Sequence, residues 1–318
     1  MVNKRPIHLM LPCPPPTRHR AWGDYYFGQS LSEALQECGH DVIVSMRSRG
    51  PRFRDKLADW WHARQLSVPE NAVELVLLGL PPEIKKSNRP RIAWLMYKHE
   101  AIADEELQQL DHLFVASAPF ADKMRAAGHA PEVLLQCTDP KRFFPALASD
   151  QYASELLFVG NRGPLEPRPI VSGALKSGHT VSVWGTGWDD VADQIDFRGI
   201  HVSNDVLGRH YASAKVVLND HRKIMLKDEF ISNRIYDSLA CGRPIITEKM
   251  AGMPDEFSDG AVMYQNEKDI LDAIETALTA QTSALTEISD YTRAHHSFFQ
   301  RAKAISDRID QIDGKGVV

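Results

Sequence analysis

The sequence is poor in cysteine, and its four cysteines are widely separated, at positions 13, 38, 137 and 241. They form neither a C-x-x-C pair nor a group with histidines, which disfavours a disulfide framework or a zinc site. The chain also has no apolar run of the roughly 18 residues that a membrane-spanning helix needs. The apolar residues that follow the basic N-terminus are too few for a signal peptide. We therefore expect reduced thiols and a cytoplasmic protein.

Two further features are absent from the sequence, and each disfavours one class of function. Lysine and arginine total 37 against 42 aspartates and glutamates, a formal net charge of −5, so nucleic acid is not expected as a partner. Neither strand that opens a half of the chain is followed by G-x-G-x-x-G, which disfavours a dinucleotide dehydrogenase. The 318 residues have the composition of an ordinary globular protein. That length fits two domains of about 150 residues each.

A helix that ends at glycine and continues into an apolar strand occurs three times. The glycines are Gly39, Gly128 and Gly178, each followed by a histidine. Glycine suits the left-handed conformation that often ends a helix. Helix–glycine–strand units in series indicate parallel α/β architecture. We expect the three histidines to cap carbonyls at the helix ends, where a cation is favourable.

The predicted elements form two Rossmann-like halves. Residues 138–145 break the regular pattern and polar residues follow, which places a domain boundary near residue 148. The predicted domains are 1–148 and 149–287, followed by a C-terminal region, 288–318, in which 290–312 form one long helix. In the first half we predict strands at 7–11, 42–45, 73–78, 92–96, 113–116 and 133–135, with helices at 25–38, 53–65 and 120–127. In the second half we predict strands at 155–160, around 181, at 216–219 and at 245–247, with a helix at 234–240.

The stretch from Glu229 to Pro244 is the most informative part of the chain. Glu229 and Asp237 lie eight residues apart around a predicted helix start, and the helix ends at Gly242. Free backbone N–H groups at a helix N-terminus favour a phosphate, and carboxylates accept hydrogen bonds from sugar and ribose hydroxyls. This combination describes a nucleotide-sugar site. The alternative is that both are surface acids near a helix start, where negative charge is stabilising without any function. The residues expected to offer N–H groups to the diphosphate are Phe230, Ile231, Ser232, Asn233 and Arg234.

Taken in order, several motifs resemble the GT-B glycosyltransferases, and within them family 4 and its CgeB-like relatives. The one departure is Asp237, where the family has glutamate, an acid of the same charge with a shorter reach. The resemblance implies two Rossmann-like parallel-sheet domains facing a cleft, with a C-terminal helix that crosses back to the N-terminal domain. The motifs are Trp22-Gly23-Asp24 with the following helix, Asp139-x-x-x-Phe143-x-Pro145, Phe158-Val-Gly160 with Arg168, Glu229-x7-Asp237 with Ala240-Cys-Gly-x-Pro244, and His295–Arg301.

The resemblance also implies an activity and its donor site. The activity would be transfer of a hexose from a nucleoside-diphosphate sugar, with Glu229 on the sugar hydroxyls and Asp237 on the ribose. Arg168 and Arg162 would neutralise the leaving diphosphate, on which charge builds in the transition state; the alternative is that both are solvated. Gly160 opens the donor domain. No Asp-x-Asp triad is present, so we expect no metal and no other cofactor.

In the N-terminal domain the resemblance singles out Gly23, Asp24 and His99. Gly23 would allow backbone to approach a ligand, and His99, after a strand, would lie near the reacting sugar. Capping of the helix is the alternative for Asp24, and a structural role is the alternative for His99. An inverting enzyme would need a base, for which Asp24, His99 and Glu100 are candidates. Retention, the family 4 outcome, needs none, because the departing phosphate can accept the proton.

The acceptor is left open as a glycan, such as a surface polysaccharide, a lipid-linked sugar or a small molecule. Bases and aromatics alternate over residues 52–64, which suits either a peripheral contact with the inner face of the membrane or packing on the sheet. Residues 18–20 form a basic loop that could meet an anionic acceptor or be merely solvated. Residues 184–188 form a glycine-rich turn expected beside the nucleotide. A GT-B nucleotide-sugar epimerase and a non-catalytic sugar-nucleotide-binding protein are the alternative functions.

Overall fold

A computed structural model describes residues 4–16, 22–46, 66–78, 87–97, 102–163 and 168–315. Within it the chain divides into two compact units. The first unit comprises Met1–Leu135 together with Phe298–Val318, and the second comprises Gln136–Ser297. The predicted helix at 53–65, the basic loop at 18–20, and the candidates His99 and Glu100 lie outside the described residues.

Twelve strands and ten α-helices of at least four residues are found in the described part of the chain. The strands are β1 (Ile7–Leu11), β2 (Val42–Met46), β3 (Val73–Leu78), β4 (Arg91–Leu95), β5 (His112–Val115), β6 (Glu132–Val133), β7 (Ser154–Val159), β8 (Val181–Trp184), β9 (Asp196–Gly199), β10 (Ala214–Leu218), β11 (Ile245–Glu248) and β12 (Ala261–Tyr264). The helices are α1 (Gly23–Glu37), α2 (Asp104–Leu107), α3 (Ala118–Ala126), α4 (Pro169–Ala174), α5 (Asn204–Ser213), α6 (Lys223–Lys227), α7 (Asn233–Ala240), α8 (Ile270–Leu278), α9 (Thr282–His295) and α10 (Phe298–Lys315).

The first unit contains a parallel six-stranded sheet in the order β2-β1-β3-β4-β5-β6. Strands β3 and β4 are buried along their whole length, as expected of central strands covered on both faces. The last helix, α10, belongs to this unit and packs against α1. The rings of Phe27 and Phe298 meet edge to face at 4.7 Å, and Nε2 of His40 lies 2.8 Å from Oγ of Ser306.

The second unit contains a parallel six-stranded sheet in the order β12-β11-β10-β7-β8-β9. Read from the first strand of the unit, this is the Rossmann order, so the prediction of two Rossmann-like parallel-sheet domains is confirmed. Its core includes Phe158 on β7, Leu218 on β10 and Ile246 on β11, all fully buried. The strand order reverses between β7 and β10, and the crevice at the carboxyl ends of those strands is where such sheets bind ligands.

The predicted helix–glycine–strand units are confirmed at Gly39 and Gly128, which directly follow the cap residues of α1 and α3. In the third unit α4 ends at Ala174, and Gly178 lies in the turn that follows. Gly39, Gly128 and Gly178 have φ values of 92°, 93° and 79°, the left-handed conformation that glycine adopts with least strain. Gly242, with φ of 68°, ends α7 in the same way before β11. These local signals explain why the parallel architecture could be predicted.

The histidines that follow three of these glycines do not cap the helix ends, so that prediction is wrong. His40 donates from Nδ1 to the carbonyl of Arg5. His129 faces the carboxylate of Asp104 at 3.4 Å, and His179 lies 3.2 Å from the carboxylate of Glu155. Each imidazole therefore joins its helix end to another element, a tertiary contact that local sequence does not specify.

The predicted single helix at 290–312 is also wrong. The chain forms α9 and α10, with a break at His296 and Ser297. At the break the N–H of Thr138 donates to the carbonyl of His296 at 2.8 Å, and Thr138 forms a bridge with Ser297. The segment around Thr138 lies in the second unit, and the N-terminal part of the first unit ends at Leu135, whereas the sequence pattern placed a boundary near residue 148.

Candidate functional site

The candidate site lies at the carboxyl ends of β7 and β10, where the strand order of the second unit reverses. The chain leaves β7 through Gly160 and leaves β10 through Asn219, Asp220 and His221. The segment after α6 then leads through Glu229 into α7. These elements meet at one edge of the sheet because carboxyl ends of parallel strands share an edge.

Arg168 is buried at this edge. Its Nε donates to the carbonyl of Asn161 at 2.9 Å, and its Nη1 donates to Oδ1 of Asp220 at 2.7 Å. The guanidinium carbon lies 5.8 Å from the centre of the Phe158 ring, within the range of a cation–π contact. Only 6% of the residue is exposed, so Arg168 is not a solvated loop residue.

Asp220 is the partner of Arg168 and was not predicted. It is 2% exposed, and its Oδ2 is buried without a hydrogen-bond partner in the described residues. Burial raises its pKa to about 6, with a further rise from Glu248, while Arg168 lowers it. The available sequence signal was a carboxylate directly after a buried strand.

Arg234 places a second guanidinium next to the loop that follows β10. Its Nη1 donates to Oδ1 of Asn219 at 3.3 Å. A Cβ built on Gly160 would lie 3.4 Å from Nη2 of Arg234 and 3.0 Å from the Phe158 ring. Glycine at position 160 therefore lets the backbone after β7 pass close to both groups. The sequence predicted a role for the backbone N–H of Arg234 but not for its guanidinium.

The backbone N–H groups at the start of α7 are only partly free. That of Phe230 donates to the carbonyl of Met225 at 2.9 Å, and that of Ser232 donates to Nε2 of His221 at 3.0 Å. The side chain of Ser232 caps α7 by accepting from the N–H of Arg234. Of the five predicted N–H groups, those of Ile231 and Asn233 have no partner in the described part of the chain.

Glu229 lies in the tight segment before α7. Its φ of 57° is the only positive value among the described non-glycine residues. Such a conformation costs of order 1–3 kcal/mol in a side-chain-bearing residue, so the surrounding structure must hold it. Its Oε2 accepts from the N–H of Gly252 at 3.3 Å, and the side chain is half-buried.

Asp237 lies one turn inside α7 and is buried, with 8% of the residue exposed. Its Oδ1 accepts a hydrogen bond from the hydroxyl of Thr138 at 2.7 Å. Burial raises its pKa to about 8; Asp139 raises it further, and Thr138 and Arg234 lower it. Its role as a ribose ligand stays a prediction.

Arg162 has different partners from Arg168. Its guanidinium pairs with Asp190 and lies 5.5 Å from the centre of the Trp188 ring. The loop that contains Arg162 is held by the turn after β8: its N–H donates to the carbonyl of Thr186 at 2.9 Å. A Cβ on Gly187 would lie 2.1 Å from the Arg162 carbonyl, so this turn packs directly on the loop after β7.

In the first unit, Gly23 and Asp24 begin α1. Trp22 is the N-cap residue, so the alternative that Asp24 caps the helix is not what the structure shows. A Cβ on Gly23 would meet nothing within 4 Å, which leaves its surroundings open.

The described residues include no group of three or more His, Cys, Asp or Glu side chains arranged to hold a metal ion. None of the helices in the same part of the chain combines the length and the apolar character needed to cross a membrane. The candidate site consists of Arg168 and Arg234, the buried carboxylates of Asp220 and Asp237, and the N-terminus of α7.

Part of the candidate site lies in a region that matches a known protein family. Residues 168–307, which include Arg168 and α7, match a family model described as glycosyl transferase-like. No curated protein matches the chain in sequence.

The whole chain is similar to several solved structures. Sucrose-phosphate synthase from Thermosynechococcus elongatus has a TM-score of 0.69 at 14% identity, with 98% of this chain and 100% of that chain covered. A trehalose-6-phosphate structure from E. coli, bound with UDP-2-fluoro glucose, has a TM-score of 0.66 at 10% identity, with coverages of 96% and 99%. The catalytic domain of starch synthase IV from Arabidopsis thaliana, bound to ADP and acarbose, has a TM-score of 0.65 at 9% identity, with coverages of 97% and 99%.

These likenesses show that the chain has the GT-B fold, as predicted. Together with the family match they support a glycosyltransferase of that fold. The match to residues 168–307 covers Arg168, β10 and α7 of the crevice, whereas β7 and Gly160 precede the matched region.

Proposed function

We propose that the protein transfers a hexose from a nucleoside-diphosphate sugar to a glycan, lipid-linked or small-molecule acceptor. The observation that carries this proposal is that Arg168 and Arg234 both donate to the loop after β10, at the switch point of a Rossmann-like sheet. The backbone of Ser232, at the N-terminus of α7, bonds to His221 of the same loop. Positive groups gathered at that crevice suit a diphosphate. The glycosyl transferase-like match over the same residues supports the sugar as the group transferred.

The two arginines would act on the diphosphate. Negative charge builds on the leaving oxygen as the glycosidic bond breaks, and a guanidinium already in place stabilises it without reorganisation. Arg168 is held by Asn161 and Asp220, so its orientation is set before the donor binds. The free N–H groups of Ile231 and Asn233 would add donors at the positive end of the α7 dipole.

The two carboxylates of the central motif would bind hydroxyls. Glu229 would accept from the donor sugar, and its positive φ supports this role because strained residues persist where a side chain must be aimed. Asp237 would accept from the ribose, beside its hydrogen bond to Thr138. Both roles come from the resemblance to family 4.

We also propose retention of the anomeric configuration, membership of the family 4 and CgeB-like group, and metal-independent chemistry. Retention is supported by the motif resemblance; no base is then required, and Asp24 and His99 would serve in positioning. Metal independence is supported by the guanidinium groups of Arg168 and Arg234, which supply positive charge for the diphosphate. The acceptor would bind on the N-terminal unit, and a lipid-linked acceptor would imply peripheral contact with a membrane.

The donor site can be tested by binding. Thermal shift and calorimetry of the protein with UDP, ADP, GDP, dTDP, CMP and NAD, each with Mg²⁺ or EDTA, should show one preferred nucleoside diphosphate. A ligand at a hundred times its Kd adds about 2.7 kcal/mol of stability. The substitution Arg168→Ala should abolish the shift, whereas Arg209→Ala, an exposed arginine on α5, should leave it intact. A shift with NAD alone, or none, would refute the donor site.

Activity separates the three candidate functions. Incubation with the preferred sugar nucleotide and an acceptor library should yield a new glycoside, with the anomeric configuration read by NMR. Glu229→Ala should remove turnover. Conversion of the sugar nucleotide without an acceptor would instead identify an epimerase, and binding without any product would identify a sugar-nucleotide-binding protein.

A further inference from the structure

We propose that His221 is a positioning residue that holds the segment from Glu229 to Ser232 in its donor-binding conformation. This inference rests on the proposed function. His221 follows Asp220 at the end of β10, and its side chain is fully buried. It is therefore placed to act on the site through its neighbours.

The short hydrogen bonds of His221 run to two elements, and longer contacts of Nδ1 reach Asn219 at 3.4 Å and Thr247 at 3.5 Å. Its Nδ1 lies 3.0 Å from Oε2 of Glu248, at the end of β11. The same carboxylate accepts the backbone N–H of His221, at 3.0 and 3.2 Å to its two oxygens. On the other side of the ring, Nε2 lies 3.0 Å from the backbone N of Ser232. The imidazole thus connects β11 to the start of α7.

These partners fix which ring nitrogen carries the proton. The backbone N–H of Ser232 can only donate, so Nε2 must be the acceptor. Nδ1 then carries the proton and donates to Glu248, an arrangement that a neutral imidazole alone provides. No other neutral side chain presents a donor and an acceptor in one rigid ring on opposite sides.

Ser232 lies between the two parts of the proposed donor site, which are Glu229 and the N–H groups at the start of α7. Ser232 caps α7, whose next residue offers a free N–H. Three residues earlier, Glu229 has its positive φ, a conformation that needs support from outside the segment. His221 supplies that support by fixing the end of the segment to Glu248 and the sheet.

Loss of the imidazole should therefore reduce the fraction of molecules with the segment correctly placed. The apparent Kd for a ligand rises as that fraction falls. For His221→Ala we expect Kd of the preferred nucleoside diphosphate, and KM of the sugar nucleotide, to rise by about five- to a hundredfold, the range for removal of a buried hydrogen-bond partner. For His221→Gln, whose side-chain oxygen can still accept from Ser232, we expect a partial return.

The matched control is His40→Ala. His40 is also a buried histidine with two hydrogen bonds, but it lies in the first unit, bonded to Arg5 and Ser306. Both alanine variants should have lower thermal midpoints, while only His221→Ala should weaken nucleotide binding at a temperature where each variant is fully folded. Calorimetry with UDP, ADP or GDP, whichever the wild-type protein prefers, measures this difference.

The outcomes distinguish the two proposals. If the wild-type protein binds none of the nucleoside diphosphates, the proposed function fails first. If it binds one, and His221→Ala binds it with the same Kd or is weakened no more than His40→Ala, His221 is only a structural residue. Weakening confined to His221→Ala and partly restored in His221→Gln supports the positioning role.

Discussion

The buried carboxyl of Asp237 makes a definite prediction about stability and pH. Its pKa is raised to about 8 by burial, against a usual value of 3.8. In the folded protein the group stays protonated between those two values, whereas in the unfolded chain it ionises above 3.8. Because the folded state then binds more protons, stability falls as pH rises from about 4 to about 8 and levels off above.

The substitution Asp237→Asn removes this dependence. Asparagine keeps a side-chain oxygen to accept from the hydroxyl of Thr138, so the packing should be preserved. Each pKa unit corresponds to about 1.36 kcal/mol, so a rise from 3.8 to about 8 amounts to roughly 6 kcal/mol at most. Relative to the wild-type protein, the variant should gain about 1.4 kcal/mol for each pH unit within that window.

Urea unfolding of both proteins at pH 5, 6.5 and 8 measures this difference. The comparison cancels the contributions of groups common to both proteins, including Asp220, whose pKa is also raised, to about 6. Asp272→Asn, at an exposed carboxylate on α8, controls for the change in formal charge. A difference between wild type and Asp237→Asn that is the same at all three pH values would refute the reasoning, because the carboxyl would then be ionised in the folded protein throughout.

Two further predictions concern backbone and buried charge. Gly185→Ala combines a φ of 135° with a Cβ that would lie 2.2 Å from the carbonyl oxygen of Gly160, so we expect a loss of more than about 3 kcal/mol. Gly178→Ala, with φ of 79° but open space around the Cβ, should lose only the strain of about 1–2 kcal/mol, and thermal midpoints compare the two. Glu74→Ala should destabilise the first unit by about 3–5 kcal/mol because it removes the buried carboxylate that accepts from the buried guanidinium of Arg91. Substitution of both residues by methionine should recover most of that loss, as measured by urea unfolding.

The fold could be predicted because its signals are local. Gly39 and Gly242 end helices with positive φ, and an apolar strand begins within a few residues of each. The break between α9 and α10 could not be predicted in this way. It contains no glycine or proline and depends on Thr138, whose backbone bonds to His296 across more than 150 residues of sequence. A pattern read along one helix cannot show such a contact.

Single residues of the candidate site could be predicted from the sequence, whereas pairs of side chains that contact each other in the fold could not. Arg168 could be selected as a cation in a loop after a strand, but its partner Asp220 is 52 residues away. For Arg234 the sequence predicted a role of the backbone N–H only, because the contact of its guanidinium with Asn219 is likewise long-range. His221 was missed for a further reason: a buried histidine has no polarity pattern to mark it until its neighbours Glu248 and Ser232 are known.

The pairing of Arg168 with Asp220 has a consequence for donor binding. A buried guanidinium without a partner would be costly, and in the empty protein Asp220 offsets that cost. Under the proposed function, a bound diphosphate would bring its own negative charge to Arg168, and this charge would disfavour ionisation of Asp220, whose pKa is already raised to about 6 by burial. Donor binding should therefore favour proton uptake by Asp220, and the protonated carboxyl becomes a hydrogen-bond donor as well as an acceptor. The same two side chains would thus balance charge both before and after the proposed donor binds.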